Sequence, residues 1–179
     1  MRDPYANAAR EQNVDPDLDH TDDTLNVPDH PRLHRITLHR FITVTLIGLG
    51  GGCGTLVRWG LESAYPAQAT SLPWTTMGIN VLGAGLLGAL LSWLAHSGPD
   101  QGWRRRVRLT LGTGLLGGFT TYSAFSVETV TLIRTGTPWL GLAYVLFSLV
   151  AGVFAAGLGD LIVTTMVRHR TREQLVEAR

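Results

Sequence analysis

Four long apolar segments joined by short polar connections constrain this chain more than any other feature. They run from about Phe41 to Leu61, Trp74 to Ala95, Val107 to Ile133 and Trp139 to Val167, each of at least 20 residues. At 1.5 Å per residue, a helix of that length crosses the roughly 30 Å hydrocarbon core of a bilayer. Buried helices of a soluble protein would keep a polar face. Leu82–Leu94 and Leu140–Leu158 contain no charged residue and no wide polar stripe, so the segments predict transmembrane helices. The fold class expected is an all-α membrane protein of four transmembrane helices. The connections Ser63–Pro73, Ser97–Arg106 and Thr135-Gly136-Thr137-Pro138 are short enough to set neighbouring helices antiparallel. Trp74, Trp103 and Trp139 stand near segment ends, where an indole prefers the headgroup level.

Charge is distributed as unevenly as hydropathy. The formal net charge is +1 over 179 residues, but residues 1–31 hold eight acids against Arg2 and Arg10, a net −6, and the remainder carries +7. The acidic, Asp- and Pro-rich start lacks an apolar stretch that would read as a secretory signal; its composition predicts a disordered tail over residues 1–35. A four-helix transmembrane domain is expected over 36–170, with a short cytoplasmic tail at 171–179. A soluble enzyme fits this pattern poorly. Nucleic acid is excluded as a partner because the basic residues lie between apolar runs and form no continuous stripe. Cys53 is alone, which rules out an intrachain disulfide or a multi-cysteine zinc site. All 15 basic residues are arginine. Arg32, Arg35, Arg40, Arg104, Arg105, Arg106, Arg108, Arg168, Arg170 and Arg172 fall on one side of the expected topology, and only Arg58 and Arg134 on the other. Ten against two is a strong positive-inside signal. It predicts a multi-pass protein of the inner (plasma) membrane with both termini in the cytoplasm and one fixed orientation.

Small residues four apart let helices in lipid approach closely. Gly48 and Gly52, Gly50 and Gly54, Gly114 and Gly118, Ala84 and Gly88, and Gly152 and Ala156 have that spacing. They support a compact bundle or oligomer without selecting a function.

Polar residues at membrane depth are more informative. Asn80 interrupts the apolar second segment, and a buried amide must face protein or water; an interhelical hydrogen bond and a functional contact are both open readings. Arg58 is placed to snorkel to the outer interface. Glu128 and Asp160 are intramembrane carboxylates, either functional groups or partners of arginines such as Arg134 or Arg168. The third segment is the least ordinary, because Gly117-Gly118 followed by Thr120-Thr121 weakens a helix near the bilayer centre. Broken backbone there must be buried in protein or line a cavity, and its freed carbonyls can hold a cation. Tyr122 and Phe125, three residues apart, bring two rings whose partly positive edges can face a small anion. The alternative is ordinary core packing with hydroxyls bonded back to the helix.

Three ordered stretches resemble the CrcB/Fluc family of fluoride channels. Gly51-Gly52-Cys53-Gly54-Thr55-Leu56-Val57-Arg58-Trp59 resembles its Gly-Gly-x-x-Gly-Ala-x-x-Arg-Tyr, and Trp74-Thr75-Thr76-Met77-Gly78-Ile79-Asn80-Val81-Leu82-Gly83 resembles its Gly-Thr-x-x-Val-Asn-x-x-Gly. The run from Gly114 to Ser126 resembles Gly-x-x-Gly-Gly-x-Thr-Thr-Phe-Ser-Thr-Phe-Ser. The match covers roughly residues 40–168. The resemblance implies an antiparallel dimer with two narrow fluoride pores, acting not as an enzyme but as a passive route for fluoride export and resistance. It assigns Tyr122 and Phe125 to an aromatic box, Asn80 to an amide contact with the ion, and Ser123, Tyr144 and Ser148 to polar positions along the pore. It assigns a central structural sodium ion to the main-chain carbonyls of Gly117 and Thr120, and supporting roles to Arg58 and Glu128.

Two residues depart from the family pattern: Tyr122 stands where phenylalanine is usual, and Ala124 where threonine is. The arginine bias also bears on assembly, since an antiparallel homodimer needs one sequence to insert both ways. A fixed orientation instead implies pairing with an oppositely inserted homologue. Two other readings remain: a proton-coupled exporter like the small four-helix multidrug transporters, using Glu128 or Asp160, and a non-conducting partner subunit.

Overall fold

The computed structural model describes residues 31–177 apart from Ala69, with side chains described over 40–169. The acidic tail expected over 1–35 lies outside the described residues as far as residue 30. The chain divides after Leu38 into two units, and the helix packing and the candidate site belong to the second, His39–Arg179. The described residues form helices only: α1 Pro31–Ala64, α2 Trp74–Ser97, α3 Gly102–Val107, a π-helical stretch Arg108–Leu116, α4 Gly117–Phe119, α5 Ser123–Arg134 and α6 Pro138–Glu177.

Three helical stretches among the described residues are long and apolar enough to cross a membrane: Arg40–Ala64, Trp74–Ser97 and Pro138–His169. The third apolar segment is not one of them. It is divided into a short α-helix, a π-helical stretch, a single helical turn and α5, with Thr120–Tyr122 non-helical between the last two. Thr120 has extended backbone angles, φ −75° and ψ 159°, which an α-helix cannot contain.

The ends of the elements follow local chemistry. Gly136, at φ +87°, closes the turn after α5, where a side chain would be strained. Pro138 then opens α6, at a position whose missing N–H is one of the helix's unbonded donors anyway. Thr137 Oγ1 ties this turn down by donating to the Leu132 carbonyl at 2.8 Å.

Glycines set the helix contacts. A Cβ on Gly50 would stand 2.5 Å from the Thr110 carbonyl oxygen, and one on Gly114 would stand 2.7 Å from that of Ile47. Gly54 meets the Leu115 carbonyl and Gly118 that of Gly51 in the same way. Two of the small-residue pairs, Gly50/Gly54 and Gly114/Gly118, therefore pack α1 against the third segment. Gly88 on α2 rests on the Ala156 carbonyl of α6, and Gly159 of α6 on that of Gly85. Gly48, Gly52 and Gly152 have nothing within 4 Å of a built Cβ. Met77, Leu132 and Tyr144 form a buried core, with Leu72, Val81, Phe125 and Leu140 packed on it. Most other apolar side chains face outward, and only 6–28% of an 18-residue apolar stretch in each candidate span is buried. In water that surface would be prohibitive; lipid or a further subunit covers it at no such cost.

Candidate functional site at the helix interruption

The interruption is held open by one side chain. Asn80, on α2, donates from Nδ2 to the Thr121 carbonyl at 2.9 Å and accepts from the Thr121 amide at Oδ1 at 2.8 Å. In an unbroken helix the Thr121 amide would return to the Gly117 carbonyl. The Ala124 amide would return to Thr120, but it donates to Thr121 Oγ1 at 3.1 Å. Both exchanges leave the Gly117 and Thr120 carbonyls without their helical bonds. Gly83, one turn beyond Asn80, has no Cβ to obstruct the Thr120 methyl group. The two motifs on α2 and the third segment are thus parts of one piece of architecture.

Around this point lies a cavity of about 430 Å³ whose lining includes Asn80, Gly117, Thr120, Tyr122, Phe125 and Ser148. Tyr122 is the residue just before α5 rather than part of it, and it is 81% exposed. Its ring centroid lies 6.1 Å from that of Phe125 at an interplanar angle of 37°. Phe125 in turn lies 5.0 Å from Tyr144 at 44°. Both pairs are tilted, neither stacked flat nor perpendicular, at centroid distances usual for aromatic pairs. Ser148 contributes a buried hydroxyl with no hydrogen-bond partner among the described residues. The carboxamide of Asn80 has two N–H groups, of which the Thr121 carbonyl takes one.

Behind the rings, Glu128 is held by hydroxyls. Thr76 Oγ1 donates to its Oε1 at 2.6 Å and Tyr144 Oη to its Oε2 at 2.9 Å. Arg134 and Arg168, the partners weighed from sequence, do not fill that role. Asp160 is exposed on α6, and its backbone carbonyl accepts from Ser92 Oγ at 3.4 Å. Arg58 turns inward. Its Nε donates to the Gly118 carbonyl at 3.3 Å and its Nη1 pairs with Glu62 at 3.1 Å. Among the described residues no three His, Cys, Asp or Glu side chains form a metal-ligand set.

Residues 45–160 match the family described as "CrcB-like protein, Camphor Resistance (CrcB)". The chain belongs to the CrcB family. Curated CrcB relatives include the fluoride-specific ion channel FluC 1 of Cutibacterium acnes, 50% identical over 117 residues, which are 65% of this chain and 82% of that one. The fluoride-specific ion channel FluC of Novosphingobium aromaticivorans is 44% identical over 116 residues, 63% and 89% of the two chains. That of Rhizobium meliloti is 36% identical over 129 residues, 69% of this chain and 98% of its own. These relatives are named as ion channels, not as enzymes, and with the helices above the chain is an all-α, multi-pass membrane protein.

The residues assigned to the pore and the sodium ion from the CrcB pattern fall into two groups. Asn80, Tyr122, Phe125, Ser148, Gly117 and Thr120 share the cavity. Ser123 and Tyr144 are absent from its lining: Ser123 Oγ lies 3.1 Å from Thr121 Oγ1, and Tyr144 is fully buried against Glu128. Sequence reasoning gave no role to Thr76, Thr55 and Glu62, and read Thr121 only as a weak point of the helix. Thr76 had a visible signal, since it sits one helical turn before Asn80. Glu62 had another, one turn after Arg58.

Proposed function

We propose that this chain is a fluoride-selective channel subunit that exports cytoplasmic fluoride passively and so confers resistance. What carries the reading is the Asn80–Thr121 clamp, which supports a single cavity bearing a spare amide N–H, two aromatic rings, an unbonded hydroxyl and two freed carbonyls. The amide N–H, the hydroxyl and the rings, neutral or weakly positive, can solvate a small anion without trapping it as a fixed cation would. Fluoride that entered as neutral HF and ionised in the cytoplasm would leave down its gradient. In this reading Tyr122, Phe125, Asn80 and Ser148 meet the ion, with Ser123 and Tyr144 further along its route.

The two freed carbonyls fit a sodium ion chemically. Carbonyl oxygens are hard donors suited to such a cation, and their negative ends beside an anion route would repel fluoride unless a cation lay between. Gly117 and Thr120 would hold it, and the bound ion would neutralise their dipoles. The outward apolar faces suit membrane lipid, and the assembly proposed there is an antiparallel dimer. The ten-to-two arginine bias supports both termini in the cytoplasm and pairing with an oppositely inserted homologue rather than with a second copy.

The test is fluoride efflux from liposomes holding the purified protein alone, or with its oppositely inserted homologue, followed with a fluoride electrode. Flux of fluoride without comparable flux of chloride is expected in at least one of the two. Absence of fluoride flux in both overturns the reading. A carboxylate-dependent, pH-driven flux abolished by E128Q or D160N would point to the exporter instead.

A further inference from the structure

The interruption leaves the Gly118 carbonyl in need of a partner, and α1 supplies two. Arg58 Nε donates to it at 3.3 Å and Thr55 Oγ1 at 3.4 Å. Arg58 Nη1 turns to Glu62, whose two carboxylate oxygens lie 3.4 and 3.1 Å away. Both side chains are largely shielded, with 21% and 27% of their surfaces exposed. A shielded ion pair is expensive to assemble in lipid unless its remaining donors are bonded. Here Nη1 bonds a carboxylate and Nε a backbone oxygen.

The position of that oxygen matters. Gly118 adjoins Gly117, which lines the cavity and whose carbonyl the interruption frees. Gly118 also lies against the Gly51 carbonyl, with no room for a Cβ, so its backbone has little freedom once Arg58 has bonded it. We infer that Arg58 and Glu62 form a positioning pair: Arg58 fixes the Gly118 carbonyl on the α1 side and so presents the Gly117 and Thr120 carbonyls to the cation. Glu62 has a second task. An uncompensated guanidinium one residue from the cation site would repel sodium, and the carboxylate cancels that charge. This deepens, and rests on, the sodium reading above.

The two residues therefore act by different means, and variants separate them. The readout is the sodium concentration that half-maximally raises the thermal unfolding midpoint of the purified protein, with N-methyl-D-glucamine as the replacement cation. Helicity and size exclusion report whether each variant is folded. R58Q releases the Gly118 carbonyl and should raise the half-stabilising sodium concentration about tenfold, the equivalent of about 1.4 kcal/mol. R58K keeps the charge without the fork and should recover little. E62Q leaves Arg58 charged and unbalanced, so it should also weaken sodium, whereas E62D should restore it. A wild-type protein that sodium stabilises, with folded R58Q and E62Q variants responding at the wild-type concentration, overturns the pair's role alone. A wild-type protein indifferent to sodium overturns the sodium reading and the pair's role together. Loss of folding in R58Q leaves E62Q against E62D to decide.

Discussion

Replacing Asn80 by alanine removes both bonds that hold the interruption, and the structure sets the size of the effect. Thr121 is 8% exposed, so its amide and carbonyl have little access to bulk water when Asn80 is lost. An unsatisfied buried backbone group costs about 1–3 kcal/mol in soluble proteins. Within a membrane the unfolded reference also finds partners, and a single interhelical bond averages about 0.6 and at most about 1.7 kcal/mol. Two bonds lost together should therefore cost about 1–3 kcal/mol. The assay is reversible unfolding in mixed micelles titrated with SDS, alongside fluoride efflux from liposomes. N80A should unfold at lower SDS and lose fluoride flux. N80D is the informative companion. It keeps an acceptor for the Thr121 amide but faces the Thr121 carbonyl with a second oxygen, so it should be no more stable than N80A. If N80A loses flux but unfolds with wild-type stability, Asn80 serves the ion only and the clamp does not hold the interruption. Wild-type behaviour in both assays would refute a role of either kind.

Other outcomes rest on single contacts. G118A places a Cβ against the Gly51 backbone, 2.9 Å from its carbonyl carbon; overpacking of this kind costs about 1–3 kcal/mol and should appear as a lower thermal midpoint, with G48A, in open space, as the unaffected comparison. Y144F removes a donor 2.9 Å from Glu128 and should destabilise by about 1–3 kcal/mol; a double-mutant cycle with T76V, measured by SDS unfolding, should show the two hydroxyls coupled by more than about 0.5 kcal/mol. S148A removes a hydroxyl with no partner, so stability should stay within about 0.5 kcal/mol while fluoride flux falls roughly tenfold, the worth of one hydrogen bond to the ion. Y122F restores the ring usual in the family and should keep fluoride flux, because edge contacts need no phenol.

The site was legible where chemistry depends on neighbours in sequence. Gly117-Gly118 and Thr120-Thr121 pointed to a weakened helix, and Tyr122 with Phe125 to paired rings, because glycine, threonine and ring spacing act over a few residues. Glu128 was legible only as an anomaly. Its true partners, Thr76 and Tyr144, lie 52 and 16 residues away, and a hydroxyl leaves no charge pattern to follow. Arg58 was misread for a related reason. Three residues from the end of the apolar run it looked free to reach the interface, yet the carbonyl it bonds is 60 residues distant.

By itself the sequence determined that the chain belongs in a bilayer, that its arginines cluster in the polar stretches flanking its apolar segments, and that its third apolar segment is weak. Those properties are sums over local composition, and lipid acts on them residue by residue. Only the tertiary structure decided that the third segment is no continuous span and that Asn80 clamps Thr121. It also sorted the glycine pairs, locking Gly50/Gly54 onto Gly114/Gly118 while Gly48 and Gly52 face open space. A backbone amide has two possible partners, its own helix or a neighbour's side chain, and which one wins is fixed by how closely the neighbour can approach. The glycines of α1 and α2 set that approach.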